Sequence, residues 1–162
     1  MSFLIRTYAP ADLPALHTVR AAAFAPVFAS FRNIVGTEIA ALGLANAEQE
    51  QADLLEAIAR PDSGHTIAVA AVDGAIAGFV SWKTDAATKI GEITLNAVHP
   101  DHCGKGIGTA LYEHALAALK AAGMALAAVG TGGDASHAPA RRTYEKVGFK
   151  AHIPSIYMYR KL

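Results

Sequence analysis

Asp73-Gly74 joins two β-rich runs, residues 66–72 and 75–82, and this junction constrains the fold more than any other feature. Both turn positions tolerate φ > 0, as two-residue hairpins require, so the runs predict adjacent antiparallel strands. A polar stretch, residues 83–89, leads to a third strand over 90–98, ended by His99-Pro100-Asp101. A sheet with an apolar face needs a cover, and the flanking periodicity supplies one. Residues 48–60 read as a helix with Ala52, Leu55 and Ala59 on one side, stopped by Pro61-Asp62-Ser63-Gly64. A second helix is predicted over 106–122, with Ile107, Leu111, Ala115 and Ala118 on one face and Gly123 as its cap.

The remaining segments fit around this frame. Residues 3–8 read as a first strand, and Pro10-Ala11-Asp12 opens a helix with Leu13, Leu16 and Val19 at helical steps. From about residue 25 to 46 no period is clear, and the expectation is broken helix or loop. Residues 125–129 read as a buried strand, 130–134 as a loop and 136–147 as a helix stopped by Gly148. Residues 149–152 and 156–160 read as two closing strands. The expectation is one α/β domain over 1–162, with a mixed, largely antiparallel central sheet flanked by helices.

Composition narrows the function classes without choosing one. With 14 basic and 14 acidic side chains, a basic nucleic-acid footprint or polybasic membrane patch is not expected. The single cysteine excludes an internal disulfide and a Cys-rich zinc cluster. The 36 alanines favour helix, and charged residues at 17% do not suggest disorder. The most apolar stretch, residues 21–31, contains Pro26 and is shorter than the roughly 20 residues a membrane span needs. With no leader-like start, the default expectation is a cytoplasmic protein.

The informative segment runs from Val98 through His99-Pro100-Asp101-His102-Cys103-Gly104-Lys105-Gly106-Ile107-Gly108-Thr109. It lies between a strand and a helix, where free N–H groups and the helix dipole attract anions. Glycines let the backbone approach a phosphate without a Cβ in the way. The spacing is neither the dinucleotide fingerprint nor a P-loop. Taken alone, the turn is as well read as purely structural.

Its context is more specific. Val98-x-Pro100 followed by Gly104-x-Gly106 resembles the acetyl-CoA signature of the GNAT acetyltransferase superfamily, written Arg/Gln-x-x-Gly-x-Gly/Ala. Ala140, Tyr144, Gly148 and Phe149 match its second signature, Asn-x-x-Ala-x-x-x-Tyr-x-x-x-Gly-Phe. The predicted element order is similar to the family's across nearly the whole chain. Two departures stand out: Cys103 replaces the usual Arg or Gln, and His137 replaces the usual Asn.

The resemblance implies an acetyl-CoA-dependent N-acetyltransferase acting by direct attack of an amine. It implies that Ala97 and Val98 hold the pantetheine arm as an added strand would, with the Val98 N–H as oxyanion donor. It implies a pyrophosphate site over Cys103, Gly104, Lys105, Gly106, Ile107, Gly108 and Thr109, with His137 as a further cofactor contact. A neutral amine must form from an ammonium of pKa near 10, so a base is needed. Glu92 is the first candidate, since a period of two places Glu92, Thr94 and Asn96 on one face, and several family members use a glutamate there. An equal reading is an exposed carboxylate paired with Lys89 or another cation. Asp134 is the alternative base, although Asp134 or Ser136 also suits a helix cap. The leaving thiolate needs a proton or a hydrogen bond, and Tyr144 matches the family tyrosine placed near the sulfur; the other reading is an interface tyrosine with a satisfied hydroxyl.

Other combinations point less far. His99, Asp101 and His102 are close but lack a third-ligand motif, so no metal is expected. Asp134, Ser136 and His137 lack the strand-elbow-helix setting of a nucleophilic serine. Cys103 at a helix start has the position of a nucleophile, but the glycine pattern already has another account. The Cys103 and His137 replacements leave a second function class open, a non-catalytic acyl-CoA-binding or regulatory module. The acceptor is expected to be a small-molecule or peptide amine, bound between residues 24–44 and 153–159. Phe24, Phe28, Phe31, Tyr157 and Tyr159 there suggest an amphipathic or partly aromatic amine rather than a polycation. Family members often dimerise, so the resemblance also admits a homodimer.

Overall fold

The computed structural model describes residues 2–162. Five strands form one sheet in the order β1 (Leu4–Thr7), β2 (His65–Val72), β3 (Ala75–Asp85), β4 (Ile90–Val98) and β5 (Leu126–Val129). The first four pair antiparallel, and β4 pairs β5 in parallel. The mixed, largely antiparallel sheet is therefore the one the sequence predicts. Asp73 and Gly74 turn the β2–β3 hairpin with φ of 49° and 86°, the left-handed geometry a two-residue turn demands.

Helices cover both faces. Helix α1 (Leu13–Val35), α2 (Thr37–Gly43) and α3 (Ala47–Ala59) follow β1; α4 (Ile107–Ala121) follows β4 and α5 (Ala138–Lys146) follows β5. On one face Leu16 and Val19 of α1 and Leu55 and Ile58 of α3 pack on Val69, Phe79, Leu95 and Ala97. On the other, Ile107, Leu111, Ala115 and Leu119 of α4 pack on Ala70, Val80, Trp82 and Ile93. Helix α4 thus follows its expected apolar stripe, with Leu119 and Tyr112 joining it in the core. Gly91 lets α4 approach: a Cβ there would lie 2.9 Å from Leu119 Cγ.

Three expectations need correction. The stretch around Pro26 is not broken, because α1 runs through it to Val35. A proline costs a helix one hydrogen bond, but Val27 and Phe28 immediately after it are buried, and that burial favours continuing. The link after β3 begins later than expected, since the strand continues to Asp85. The two closing strands over 149–152 and 156–160 are absent: residues 147–162 carry no regular structure. A run of β-favouring residues becomes a strand only where an edge is there to pair with. Here Ile153, Ile156, Tyr157 and Met158 stay exposed, and the tail is fastened near its end instead. Lys161 Nζ meets Glu38 Oε2 at 2.9 Å, and the Tyr159 ring packs over Gly43 of α2.

Candidate active site

The site begins with an irregularity in β4. Val80 pairs with Asn96 but Trp82 pairs with Ile93, so Ser81 alone faces both Thr94 and Leu95. This is a β-bulge. Ser81 is fully buried and fastens it, its hydroxyl donating to the Leu95 carbonyl at 2.6 Å and lying 2.7 Å from Thr94 Oγ1. The extra residue reverses the strand's face. Gly91 and Ile93 face α4, whereas Leu95 and Ala97 face α1 and α3. Asn96 therefore faces α4 and α5, and the expected common face of Glu92, Thr94 and Asn96 does not exist.

The bulge also coincides with a parting of strands. The β4–β5 pairing covers only Ile90 to Ile93 against Leu126 to Val129. Beyond it β4 has no β5 partner, and the unpaired edge between its last residues and the loop 130–134 is termed the wedge. The main chain of β4 is presented to this wedge. His99 N–H donates to the Ala77 carbonyl, and the Ala97 carbonyl lies against Gly78, both on the β3 side. A trans peptide then turns the Val98 N–H the opposite way, into the wedge.

The glycine turn continues from that edge. Gly104 and Gly106 have φ of 75° and 84°, and a Cβ at either would meet nothing within 4 Å, so the space above the turn is open. Gly106 is the N-cap of α4. The N–H groups of Gly104, Lys105, Gly106, Ile107, Gly108 and Thr109 donate to no group among the described residues. Free donors, a helix dipole and missing side chains together fit a diphosphate. Lys105 folds back, its Nζ donating to the Asp101 carbonyl at 2.6 Å. Cys103 is exposed, with Sγ 3.9 Å from the Val98 carbonyl oxygen. A cleft of about 460 Å³ opens behind the turn, lined by Arg6, Asp12, Thr18, Ile76, His99 and His102, and is separate from the wedge.

The two candidate proton carriers lie on opposite faces of β4. Tyr144 of α5 is buried, stacked on Tyr112 of α4 at 4.7 Å between ring centroids. Its hydroxyl meets Asn96: Nδ2 donates to Oη at 3.0 Å, and Tyr112 Oη donates to Asn96 Oδ1 at 2.7 Å. Burial raises the Tyr144 phenol above its ordinary value, and the bonds to Tyr112 and Asn96 oppose that rise. Glu92 is on the α1 face, half-exposed, with Oε2 2.9 Å from Lys83 Nζ. Lys83 is its cross-strand partner, so the pairing is with a cation on β3 rather than with Lys89.

Asp134 and His137 form a separate cluster on the wedge's outer wall. His137 Nδ1 lies 2.6 Å from Asp134 Oδ1, Ser30 Oγ donates to Oδ2 at 2.9 Å, and the Ser136 N–H donates to it at 3.1 Å. Burial alone would raise the Asp134 carboxyl, but the bonds from Ser136, His137 and Ser30 hold it well below the ordinary carboxylate range. So satisfied a carboxylate is a poor base and a good cap. His137 stacks on Phe31 of α1 at 5.6 Å. The sequence reading missed Tyr112, Lys83 and the bulge. Tyr112 had a signal, lying one residue from Leu111 on the buried side of α4; the bulge had none. No group of three or more His, Cys, Asp or Glu among the described residues is placed to hold a metal ion. No helix there is long and apolar enough to cross a membrane.

The same architecture recurs in solved acetyltransferases. The PaiA N-acetyltransferase of Thermoplasma acidophilum, solved with coenzyme A, is 22% identical with a TM-score of 0.74, over 96% of this chain and 94% of that one. The ribosomal-protein-S18-alanine N-acetyltransferase of Escherichia coli is 21% identical with a TM-score of 0.68, over 94% and 80%. A GNAT family acetyltransferase of Brucella melitensis, solved with acetyl-CoA, is 24% identical with a TM-score of 0.66, over 93% and 84%. No curated protein sequence matches the chain significantly. The family model for the acetyltransferase (GNAT) family matches residues 34–149, from the end of α1 through α5, the wedge and the glycine turn included. The chain belongs to the acetyltransferase (GNAT) family.

Proposed function

We propose that the protein moves the acetyl group of acetyl-CoA onto a primary amine by direct attack, with the wedge as its reaction cleft. The observation that carries this reading is the Val98 N–H, turned into the wedge where β4 has lost its neighbour and leading straight to the open glycine turn. Acetyl-CoA supplies an activated thioester. Ala97 and Val98 hold the extended arm through main-chain groups, and the free N–H groups from Gly104 to Thr109 take the diphosphate. Cys103, where the family has Arg or Gln, sits beside the Val98 carbonyl and leaves phosphate recognition to the backbone. The Val98 N–H donates to the carbonyl oxygen as negative charge develops on it.

Proton traffic divides across the sheet. Glu92 accepts a proton from the acceptor ammonium on the α1 side, which requires it to leave Lys83. Both partners are half-exposed, so that pair costs little to open. The amine nitrogen bonds to the acetyl carbon, the carbon–sulfur bond breaks, Tyr144 gives its phenolic proton to the sulfur, and the second proton shed by the new amide nitrogen returns through water to the Tyr144 oxygen. The acceptor lies between the second half of α1 with α2 and the tail that ends on Glu38 and Gly43. Phe24, Phe31 and Tyr157 favour an amine bearing an apolar or aromatic group. The test is release of free CoA with a panel of aromatic, aliphatic and polycationic amines. Turnover with an aromatic or apolar amine supports the reading; polyamine turnover alone rejects the acceptor class. Acetyl-CoA binding without CoA release on any amine would favour a binding module instead.

A further inference from the structure

We infer that Asn96 is a positioning residue that aims the Tyr144 proton into the wedge and steadies the phenolate left behind. The inference rests on the proposed role of Tyr144. It starts from the bulge. The Thr94 carbonyl, bent out of the ladder there, lies 2.9 Å from one terminal atom of the Asn96 amide. A carbonyl can only accept, so that atom has to be Nδ2, and this fixes the amide's orientation. The other terminal atom is then Oδ1, and it takes the Tyr112 hydroxyl proton at 2.7 Å.

With the amide fixed, Tyr144 is fixed too. The second Nδ2 hydrogen points at Tyr144 Oη, 3.0 Å away, so the phenol oxygen is an acceptor on that side. On the amide its own proton has one acceptor, Asn96 Oδ1 at 3.3 Å, which Tyr112 already holds at the shorter distance, and the stacked Tyr112 hydroxyl bonds Tyr144 as a donor rather than taking its proton. The Tyr144 proton is therefore the weakly held member of the set, free to turn toward a sulfur. When it leaves, the oxygen gains negative charge and the Nδ2–H bond strengthens as a charge-assisted donor. Tyr112, stacked on Tyr144, is the titratable side chain in contact with it, and Phe149 closes the remaining edge at 5.8 Å. Asn96 thus works through Tyr144 without touching substrate. The bulge exists in a chain that needs Asn96 on the α4 face and Glu92 on the other.

The experiment is a mutant cycle on kcat with acetyl-CoA and an accepted amine. Asn96→Ala is expected to lower kcat about 10- to 100-fold, the range for losing one hydrogen bond to a charged group, with the KM for acetyl-CoA little changed. The solvent isotope effect on kcat should grow as the proton transfer becomes limiting. In the Tyr144→Phe background the same substitution should have no further effect. Asn96→Asp should lower kcat at least as far, because a carboxylate would capture the phenol proton. Additive losses in the cycle, or an unchanged isotope effect, would overturn the inference while leaving Tyr144 in place. An unchanged kcat in Tyr144→Phe itself would instead remove the underlying reading. A folding defect in Asn96→Ala is controlled by Asn96→Ser, read the same way. The absorbance titration of Tyr144, taken as the difference from Tyr144→Phe, should move to higher pH in either variant, and a stationary titration also overturns the inference.

Discussion

Replacing Gly106 with alanine separates the backbone strain of the glycine turn from the anion binding proposed for it. Gly106 is the N-cap of α4 at φ 84° and ψ −6°, and an added Cβ would meet nothing within 4 Å. The steric cost is therefore zero and the conformational cost is that of an L residue in the left-handed region, about 1–2 kcal/mol. At this chain length that corresponds to a fall in Tm of about 2–8 °C. Relief of the strain would rotate the turn and misdirect one or two of the free N–H groups. Each hydrogen bond to a charged phosphate is worth about 1.5–3 kcal/mol, so acetyl-CoA affinity should weaken about 10-fold or more. Thermal denaturation without ligand gives the first number and calorimetric titration with acetyl-CoA the second. A lower Tm with an unchanged Kd would refute the turn as the diphosphate cradle. An unchanged Tm would refute the strain argument.

Gly91→Ala is the contrasting case, since its Cβ would collide with buried Leu119 at an ordinary φ; overpacking of about 1–3 kcal/mol should appear in denaturant unfolding. Glu92→Gln should lower kcat on the acidic side of the rate profile far more than it lowers stability, because its pair with Lys83 is half-exposed; equal turnover across the whole pH range would exclude Glu92 as the base. Asp134 has a lowered folded-state pKa, so it stabilises the fold above the unfolded carboxyl value and loses that contribution as pH falls through and below about 4. Asp134→Asn should therefore flatten the acid limb of a stability profile, and an unaltered limb would show that the cluster contributes nothing there.

How much of this could be read from residues depends on whether each feature is local. The Asp73-Gly74 turn and the strand at Ile90–Val98 are set by neighbours in sequence, and the structure has both where the sequence predicts them. The glycine turn and α4 are local in the same sense. The bulge is not: it arises from counting Thr94 and Leu95 against Ser81, residues on another strand, and no glycine or proline marks it. One residue of slippage in pairing moved Asn96 to the opposite face from Glu92 and redrew the site. The tail illustrates the same limit, because Ile156, Tyr157 and Tyr159 are β-favouring residues yet lie exposed beyond the short β5. Pro26 errs in the other direction, a local stop signal overridden by burial of Val27 and Phe28.

The long first helix has a mechanical consequence. Its far end reaches the loop after β5, where Ser30 bonds Asp134 and Phe31 stacks on His137. One rod therefore braces the gap between two strands that have stopped bonding to each other. The separation of the wedge walls is fixed by a side-chain clasp about five turns along a helix, not by the sheet itself. Such a cleft spends its ordering entropy during folding, so a ligand arriving there meets a slot already at width. Loosening the clasp, with Ser30→Ala or Phe31→Ala, would convert a rigid slot into a breathing one, visible as faster amide exchange in residues 130–137 long before any loss of global stability.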